Sequence, residues 1–317
     1  MHSHLLAPDL RVSTLCLGVM PWGATVHGAD AAALGDRFRE AGGNFFDTAH
    51  CYSFWVDGVE AGSSERAFGA WLQDRGDRDD VIIATKGAHP AGPGYRDDVD
   101  YMTQARIAQD ISDSLERLQT DWIDLYWLHR DDPRVDVGSI VDWLYAERQT
   151  GRIRSVGASN WTAPRIAAAQ AYAEAHGIPG FVASQPQWSL VDYPPQTDEQ
   201  RLAPEALLHL NAADRAWHTH SQLPVIPYGS TGNGFFASHG ERAARFANAT
   251  TLARLERCES LARELAATPN QIALAWLLAQ PFPVIPILGT ANPEHLADAI
   301  AAPAVTLTDA QRDWLVS

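Results

Sequence analysis

The sequence offers little that would cross-link the chain or direct it out of the cell. Its 317 residues include only three cysteines, Cys16, Cys51 and Cys258, which show neither a CxxC pair nor the spacing of a zinc site. A small, odd number of cysteines is typical of a reduced cytosolic protein. The opening residues, MHSHLLAPDLRVS, lack the basic start and apolar core of a signal peptide. We therefore expect a cytoplasmic protein.

Positive charge and long apolar runs are also scarce. The chain has 24 Lys and Arg residues against 39 Asp and Glu residues, a formal net charge of −15. Such a surface repels the phosphates of nucleic acids and anionic lipids, and no apolar run reaches the roughly 20 residues of a transmembrane helix. We expect no nucleic-acid or membrane partner, and a homo-oligomer is left open.

What is present is a regular alternation of short apolar runs with amphipathic or Ala-rich segments. The runs predict buried strands, and the segments between them predict helices. The predicted strands cover residues 14–19, 44–49, 81–86, 123–129, 154–160, 181–186, 224–229 and 282–289. Examples of the predicted helices are residues 30–41, 64–75, 104–119, 137–150, 163–176 and 252–280.

Eight buried strands, each followed by a helix, favour an α/β fold of the closed (β/α)8 type, a TIM barrel, over an open doubly wound sheet. Residues 2–13 predict a short β-hairpin before the first barrel strand, with Pro8 and Asp9 at its turn. Two long loops, at about 189–223 and 230–250, follow strands six and seven. No linker divides the chain, so we expect one domain over residues 1–317.

Polar residues end three consecutive apolar runs: Asp47, Lys86 and His129. The site of a barrel enzyme lies at the carboxyl ends of its strands. An ionised Asp47 there needs a cation, and Lys86 is the best candidate. Tyr52, five residues beyond Asp47, would lie near that pair, so we expect its pKa to fall from about 10 toward the range of a general acid. His129 adds a donor for a substrate oxygen.

Each of these residues alone has an ordinary explanation. Lys86 could be a surface lysine, Tyr52 a loop aromatic and His129 a core histidine. Their occurrence together, after strands two, three and four, favours a shared chemical role.

Six segments in order resemble motifs of the aldo-keto reductase family: GGNFFDTAHCY, IIATK, DLYWLH, GRIRSVGASN, IPYG and PILGTANPEHLADA. The resemblance spans nearly the whole chain. It implies NAD(P)H-dependent reduction of an aldehyde or ketone, one derived from a sugar included, to an alcohol. It also implies a catalytic tetrad of Asp47, Tyr52, Lys86 and His129, with Tyr52 as the general acid.

No Rossmann G-x-G-x-x-G is present, but GSTGNG at 229–234 could cradle a pyrophosphate or simply form a flexible turn. The resemblance implies that Tyr228 stacks on the nicotinamide and that Ser159, Asn160 and Gln185 hold its carboxamide. The full set of expected cofactor residues is Gly18, Ser159, Asn160, Gln185, Tyr228, Gly229, Ser230, Thr231, Gly232, Gly234, Gly289, Thr290, His295 and Asp298.

The cofactor end departs from the family pattern. Gly289 stands where many members have a basic residue for the 2′-phosphate, His295 is a weaker cation than arginine, and Ala299 replaces a frequent asparagine. We expect NADP as the cofactor, with NAD as the alternative.

The expected substrate residues are Trp22, Phe54, Trp55, Trp127 and Arg130. Aromatic side chains can bind sugar rings or flat aldehydes, although most tryptophans simply pack in a core. Arg130 either meets a hydroxyl-rich or anionic substrate or pairs with Asp131 or Asp132.

Other functions predict other residues. A barrel glycosidase needs two facing carboxylic acids, and strand seven ends without one. A metal-dependent hydrolase needs an H-x-H at a strand end, whereas His218 and His220 lie in a connection, so we expect no metal. A cofactor-binding regulatory subunit, as in potassium-channel β subunits of this fold, stays open. So does a sugar or alcohol dehydrogenase working in the oxidative direction.

Overall fold

Nine strands run through the computed structural model, which describes residues 1–92, 95–97 and 100–317. Two of them form the N-terminal hairpin and seven form one parallel sheet. They are β1 (Ser3–Ala7), β2 (Leu10–Ser13), β3 (Cys16–Gly18), β4 (Phe45–Asp47), β5 (Ile82–Gly87), β6 (Ile123–Leu128), β7 (Ile153–Ser159), β8 (Ser184–Gln185) and β9 (Ile287–Leu288).

Eleven α-helices accompany these strands in the described residues. They are α1 (Gly28–Glu40), α2 (Ser63–Arg75), α3 (Gln104–Leu118), α4 (Val137–Gln149), α5 (Ala163–Ala175), α6 (Asp198–Leu202), α7 (Ala212–Ser221), α8 (Ala249–Glu264), α9 (Pro269–Leu278), α10 (Pro293–Ala301) and α11 (Asp309–Trp314).

The parallel sheet is curled, with neighbours in the order β8-β7-β6-β5-β4-β3-β9. The segment around Val225 closes the gap between its two edges, because Val225 bridges both Ser184 and Val284. The Val225 N–H donates to the Pro283 carbonyl at 2.9 Å, and the Ile226 N–H donates to the Ser184 carbonyl at 2.8 Å. This closure confirms the predicted (β/α)8 barrel.

The seventh and eighth predicted strands are shorter than their apolar runs. Residues 224–229 form only isolated bridges, and β9 takes up two residues of the run 282–289. Prolines at 224, 227, 283 and 286 explain the difference, since proline has no N–H to donate to a ladder.

The hairpin and the helices follow the sequence with two corrections. β1 and β2 pair antiparallel around Pro8 and Asp9, as expected. The predicted helix 252–280 is two helices, because Thr268 caps α9 and Pro269 occupies its first turn. The predicted loop 189–223 contains α6 and α7.

Apolar side chains fill both the barrel interior and the layer between the sheet and the helices. Phe45, Leu125, Trp127, Ile226 and Ile285 belong to the interior cluster. The described part of the chain has no helix long and apolar enough to cross a membrane. The packed interior leaves the strand ends as the place where polar groups can meet.

At the amino-terminal end of the barrel, the buried carboxylate of Asp124 joins three strands. It accepts hydrogen bonds from the Ile83 N–H at 3.0 Å, from Arg78 at 2.9 Å and from Arg154 at 3.1 Å. Asp124 is 2% exposed, so removing it leaves enclosed donors without an acceptor.

We expect Asp124→Ala to lower the free energy of unfolding by about 3 kcal/mol, because it breaks a buried ion pair and leaves the hydrogen-bond donors without their acceptor. Urea titration followed by circular dichroism measures the change. Arg154→Ala is the matched control: its side chain is 51% exposed, so its loss should cost less than about 1 kcal/mol. Equal losses in the two variants would contradict this account.

Candidate functional site

The ammonium group of Lys86 lies at the centre of the predicted tetrad. Lys86 is in β5 and is 1% exposed. Its Nζ donates to the Asp47 carboxylate, to the Thr48 carbonyl at 2.7 Å and to the Tyr52 hydroxyl at 2.8 Å. Asp47 ends the neighbouring strand β4, so parallel pairing brings the two charges together. The expected partner of Asp47 is therefore the one that the structure shows.

A tight loop after β4 carries the phenol of Tyr52. The Tyr52 N–H donates to the Ala49 carbonyl at 3.2 Å, and the Tyr52 carbonyl accepts from the Gly62 N–H at 3.0 Å. The Tyr52 ring lies over the ammonium of Lys86, with 4.7 Å from Nζ to the ring centroid. The loop thus holds the hydroxyl against a buried cation.

Burial sets the protonation states of this group. It would lower the pKa of Lys86, but the charges of Asp47 and Tyr52 and the hydrogen bonds to both together outweigh burial and raise that pKa, so the ammonium stays charged. Burial raises the pKa of Tyr52 to about 12, while Lys86 partly opposes the rise. The expectation that the pKa of Tyr52 falls below 10 is therefore wrong for this structure. Loss of water around the phenolate costs more than the cation returns.

His129 follows β6 and faces the same space. Its ring centroid lies 5.8 Å from that of Tyr52, and its Nδ1 lies 3.4 Å from the Cys51 Sγ. Burial, and next the charge of Arg130, hold the pKa of His129 well below its usual value. The imidazole is therefore neutral at neutral pH and carries one N–H that can donate to an oxygen.

A cavity of about 350 Å³ opens over the tetrad. Wider clefts of about 500 and 600 Å³ elsewhere contain none of the expected site residues, so size alone does not mark the site. The lining of the tetrad cavity is Met20, Cys51, Tyr52, Phe54, Trp55, Lys86, His89, His129, Arg130, Ser159, Asn160, Gln185, Leu207 and Tyr228.

Two of the expected substrate residues do not reach this cavity. Trp22 is fully buried and packs edge-on against Phe68 and Trp71, each at 6.0 Å between ring centroids. Trp127 points into the barrel interior, where its ring packs over Gly157. Both are core residues, as large apolar side chains usually are. Phe54, Trp55 and Arg130 do line the cavity.

The residues expected at the nicotinamide are joined to one another. The Tyr228 hydroxyl donates to Asn160 Oδ1 at 2.7 Å, and the Asn160 amide nitrogen lies 3.1 Å from the Ser159 Oγ. The Gln185 amide donates to Asp47 Oδ2 at 2.9 Å. This network links the expected carboxamide residues directly to the tetrad.

A second cavity, of about 320 Å³, lies beside the glycine-rich turn. It has a donor set that suits a dinucleotide, with backbone groups, amide side chains, an arginine and a histidine. At Gly289 an added Cβ would project into open space, so the backbone is accessible there. The lining is Thr231, Asn233, Gly234, Ala237, Arg242, Asn270, Leu288, Gly289, Thr290, Ala291, Asn292, His295 and Ala299.

Several expected cofactor residues serve the fold instead of lining this cavity. An added Cβ at Gly18 would lie 2.9 Å from Ile287 Cγ2, so this glycine lets β3 approach β9. The Ser230 hydroxyl donates to the Ile287 carbonyl at 2.6 Å. Asp298 accepts from Thr268 and Asn270, each at 2.8 Å, and so fastens α10 to α9. Gly229 and Gly232 take left-handed turns that favour glycine.

Sequence reasoning missed Arg242, which brings a cation to the second cavity. The one available signal was its place in the irregular connection that follows GSTGNG. It also missed that Lys86 is the sole lysine of the chain. All the other residues counted as Lys and Arg are arginines. A single lysine among arginines indicates a position where an arginine guanidinium would not replace the lysine ammonium.

By residue type, Cys51, His89 and His129 could hold a metal ion in the first cavity. The neighbouring Arg130 opposes that reading, because its positive charge, which after burial is the next cause that lowers the pKa of His89 and His129, also repels a metal cation. A second group, His50, Asp110 and Asp113, is already occupied by hydrogen bonds and by Arg96.

Comparison with known proteins gives a consistent result. The sequence pattern of the Aldo/keto reductase family matches residues 14–315. The chain is 32% identical to Uncharacterized oxidoreductase YrpG of Bacillus subtilis, covering 96% of this chain and 92% of that protein. It is 29% identical to Aldo-keto reductase ausK of Aspergillus calidoustus, covering 99% and 81% of the two chains. It is also 29% identical to Norsolorinic acid reductase B of Aspergillus parasiticus, covering 96% and 80%. The chain belongs to the aldo/keto reductase family.

Proposed function

We propose that the protein reduces an aldehyde or ketone to an alcohol with NAD(P)H, and that Tyr52 donates the proton. The observation that carries the proposal is the contact of the Lys86 ammonium with both Asp47 and the Tyr52 hydroxyl, in a cavity that His129 also lines. A proton donor, a cation beside it and a neutral N–H donor are thus brought to one place.

Each residue has a distinct part in this chemistry. When bound, the nicotinamide supplies a hydride to the carbonyl carbon, and negative charge then develops on the carbonyl oxygen. Tyr52 gives its proton to that oxygen, and Lys86 stabilises the phenolate that remains. Asp47 holds Lys86 in place, and the neutral His129 directs an N–H at the oxygen. Because burial raises the pKa of Tyr52 to about 12, the proton is present at neutral pH.

For the cofactor we propose NADP, with NAD as the alternative, in the second cavity and along Tyr228. The glycine backbone at 289 and the nearby side chains of Arg242 and His295 support binding of phosphate there. Gly289 itself brings no cation for a 2′-phosphate, so we propose only a modest preference between the two nucleotides.

The name of one relative, Norsolorinic acid reductase B, supports reduction as the direction. The same residues can also serve the oxidation of a sugar or alcohol, which makes a dehydrogenase the second candidate. A regulatory subunit would bind the nucleotide and turn over substrate slowly. The complete tetrad argues against this function. We propose a small-molecule substrate and a cytoplasmic location.

We expect both NADPH and NADH to bind saturably in the presence of a chelator, with less than tenfold preference for NADPH. Arg242→Ala should weaken NADPH binding about tenfold, because it removes a charge-assisted hydrogen bond to phosphate. Tryptophan emission measures binding, since Trp55 lines the tetrad cavity. Arg245→Ala is the matched control, a nearby arginine that stacks on Phe246 outside the second cavity. Absence of a saturable signal with either nucleotide would remove the cofactor assignment.

Because Lys86 is the sole lysine, labelling with ¹³Cε-lysine should give a single lysine resonance. We expect that signal to stay untitrated up to about pH 11, since the charge of Asp47 raises the pKa of Lys86 above the usual value of about 10.4. Lys86→Met should reduce aldehyde turnover by orders of magnitude, because the phenolate loses its cation. A resonance that titrates normally, or near wild-type turnover in a folded variant, would refute the proposed network.

Tyr52→Phe removes one hydroxyl and keeps the ring, so we expect it to fold and bind nucleotide as before. Its rate of hydride transfer should fall by roughly 10²–10⁴-fold, the usual contribution of general acid catalysis. Single-turnover reduction with bound NADPH measures this step. Tyr172→Phe is the control, because its hydroxyl donates to Asp142 on the helical surface and lines neither cavity among the described residues. Equal rates in wild type and Tyr52→Phe would exclude Tyr52 from the reaction.

A further inference from the structure

We infer that the substrates are carbonyl compounds that carry a carboxylate, and that Arg130 binds this carboxylate. The inference rests on the proposed function, because it names the substrate class of the same cavity. It depends on a different residue from the tetrad, so it can fail while carbonyl reduction stands.

Arg130 is a buried cation that has no counter-ion among the described residues. It is 7% exposed, and among residues 1–92, 95–97 and 100–317 no carboxylate lies within 4.0 Å of its guanidinium. The two acids that follow it in sequence are engaged elsewhere. Asp131 pairs with Arg165 at 3.1 Å, and Asp132 pairs with Arg134 at 2.7 Å. The structure therefore excludes the pairing of Arg130 with either neighbour.

The guanidinium of Arg130 is also short of hydrogen-bond acceptors. Its Nη1 donates to the His129 carbonyl at 2.8 Å, and its Nε is enclosed with no acceptor in the described structure. A guanidinium carries five N–H donors, and enclosed donors without acceptors are costly. Arg130 lines the tetrad cavity, so a bound ligand can supply the missing acceptor.

The charges around the cavity leave a net positive field. Lys86 is balanced by Asp47, with which it forms an ion pair. Nothing in the described residues balances Arg130 in the same way, and after burial its charge is the next cause that lowers the pKa of His129 and His89. An anionic group on the substrate would neutralise this charge in a site largely removed from water, where electrostatic attraction is strong.

The shape of the cavity and of the donor favours a small, flat acid. A planar guanidinium matches a planar carboxylate, which it can bind through two parallel N–H groups. Phe54 and Trp55 stand at right angles to each other, with ring centroids 5.1 Å apart, and both line the cavity. The cavity of about 350 Å³ is also lined by Tyr228 and the expected carboxamide residues, so a substrate that shares it with the nicotinamide ring must be small, such as a single substituted aromatic ring. An aryl aldehyde with a ring carboxylate meets all three features.

The test compares 4-formylbenzoate with 4-formylbenzamide, which has nearly the same shape but no charge. We expect wild type to prefer the carboxylate by about 10- to 100-fold in kcat/KM, as a charged hydrogen bond implies. Arg130→Gln should abolish this preference mainly by raising KM for the carboxylate, and Arg130→Lys should restore part of it. Arg134→Gln is the matched control, because it removes the same charge from an exposed position on the same loop.

Each outcome has a defined meaning. Equal turnover of both aldehydes by wild type would overturn the carboxylate inference and leave carbonyl reduction standing. Better turnover of 4-formylphenyl phosphate would overturn it in favour of phosphate. If no aldehyde is reduced, calorimetry decides separately: the alcohol 4-hydroxymethylbenzoate should bind the wild-type protein with NADP⁺ present and should bind Arg130→Gln at least tenfold more weakly. Equal binding by the two proteins would overturn the inference.

Discussion

The buried ammonium of Lys86 is the interaction on which the rest of the site depends. A charge that is withdrawn from water must be surrounded by acceptors, and here they come from the end of β4, from the backbone beyond it and from a phenol. The hydrogen bonds that the ammonium of Lys86 donates therefore fix Asp47, Thr48 and Tyr52 relative to one another. The same three contacts that stabilise the buried cation hold the Tyr52 hydroxyl in the cavity that His129 also lines.

The two buried cations of this cavity, Lys86 and Arg130, differ in how fully they are paired. Lys86 has a full set of partners, whereas Arg130 has one backbone acceptor and no carboxylate in the described structure. Folding alone gains nothing from an unbalanced buried charge. The contrast separates a residue that organises the site from one for which the described residues supply no counter-ion.

The sequence predicted the barrel and placed the tetrad because parallel strands bring their carboxyl ends to one edge. Residues at the ends of β4, β5 and β6 could then be placed without knowing any loop. The errors lie where position depends on distant contacts. Trp22 packs on a helix, Asp298 binds a neighbouring helix, and Arg242 arrives through an irregular connection that has no periodic pattern. The pKa of Tyr52 was misjudged because burial, which sequence does not measure, outweighs the nearby cation.

The solitary lysine also determines how the surface reacts. Lys86 is 1% exposed, so this chain of 317 residues presents no ε-amino group to solvent, and its exposed basic side chains are arginines and histidines. Acylation and glycation of a lysine side chain, and isopeptide attachment to one, all require an accessible ε-amine. Reagents and enzymes that modify lysine side chains should therefore not react with the folded protein. Its one ε-amine lines the tetrad cavity, where a bound ligand can approach it.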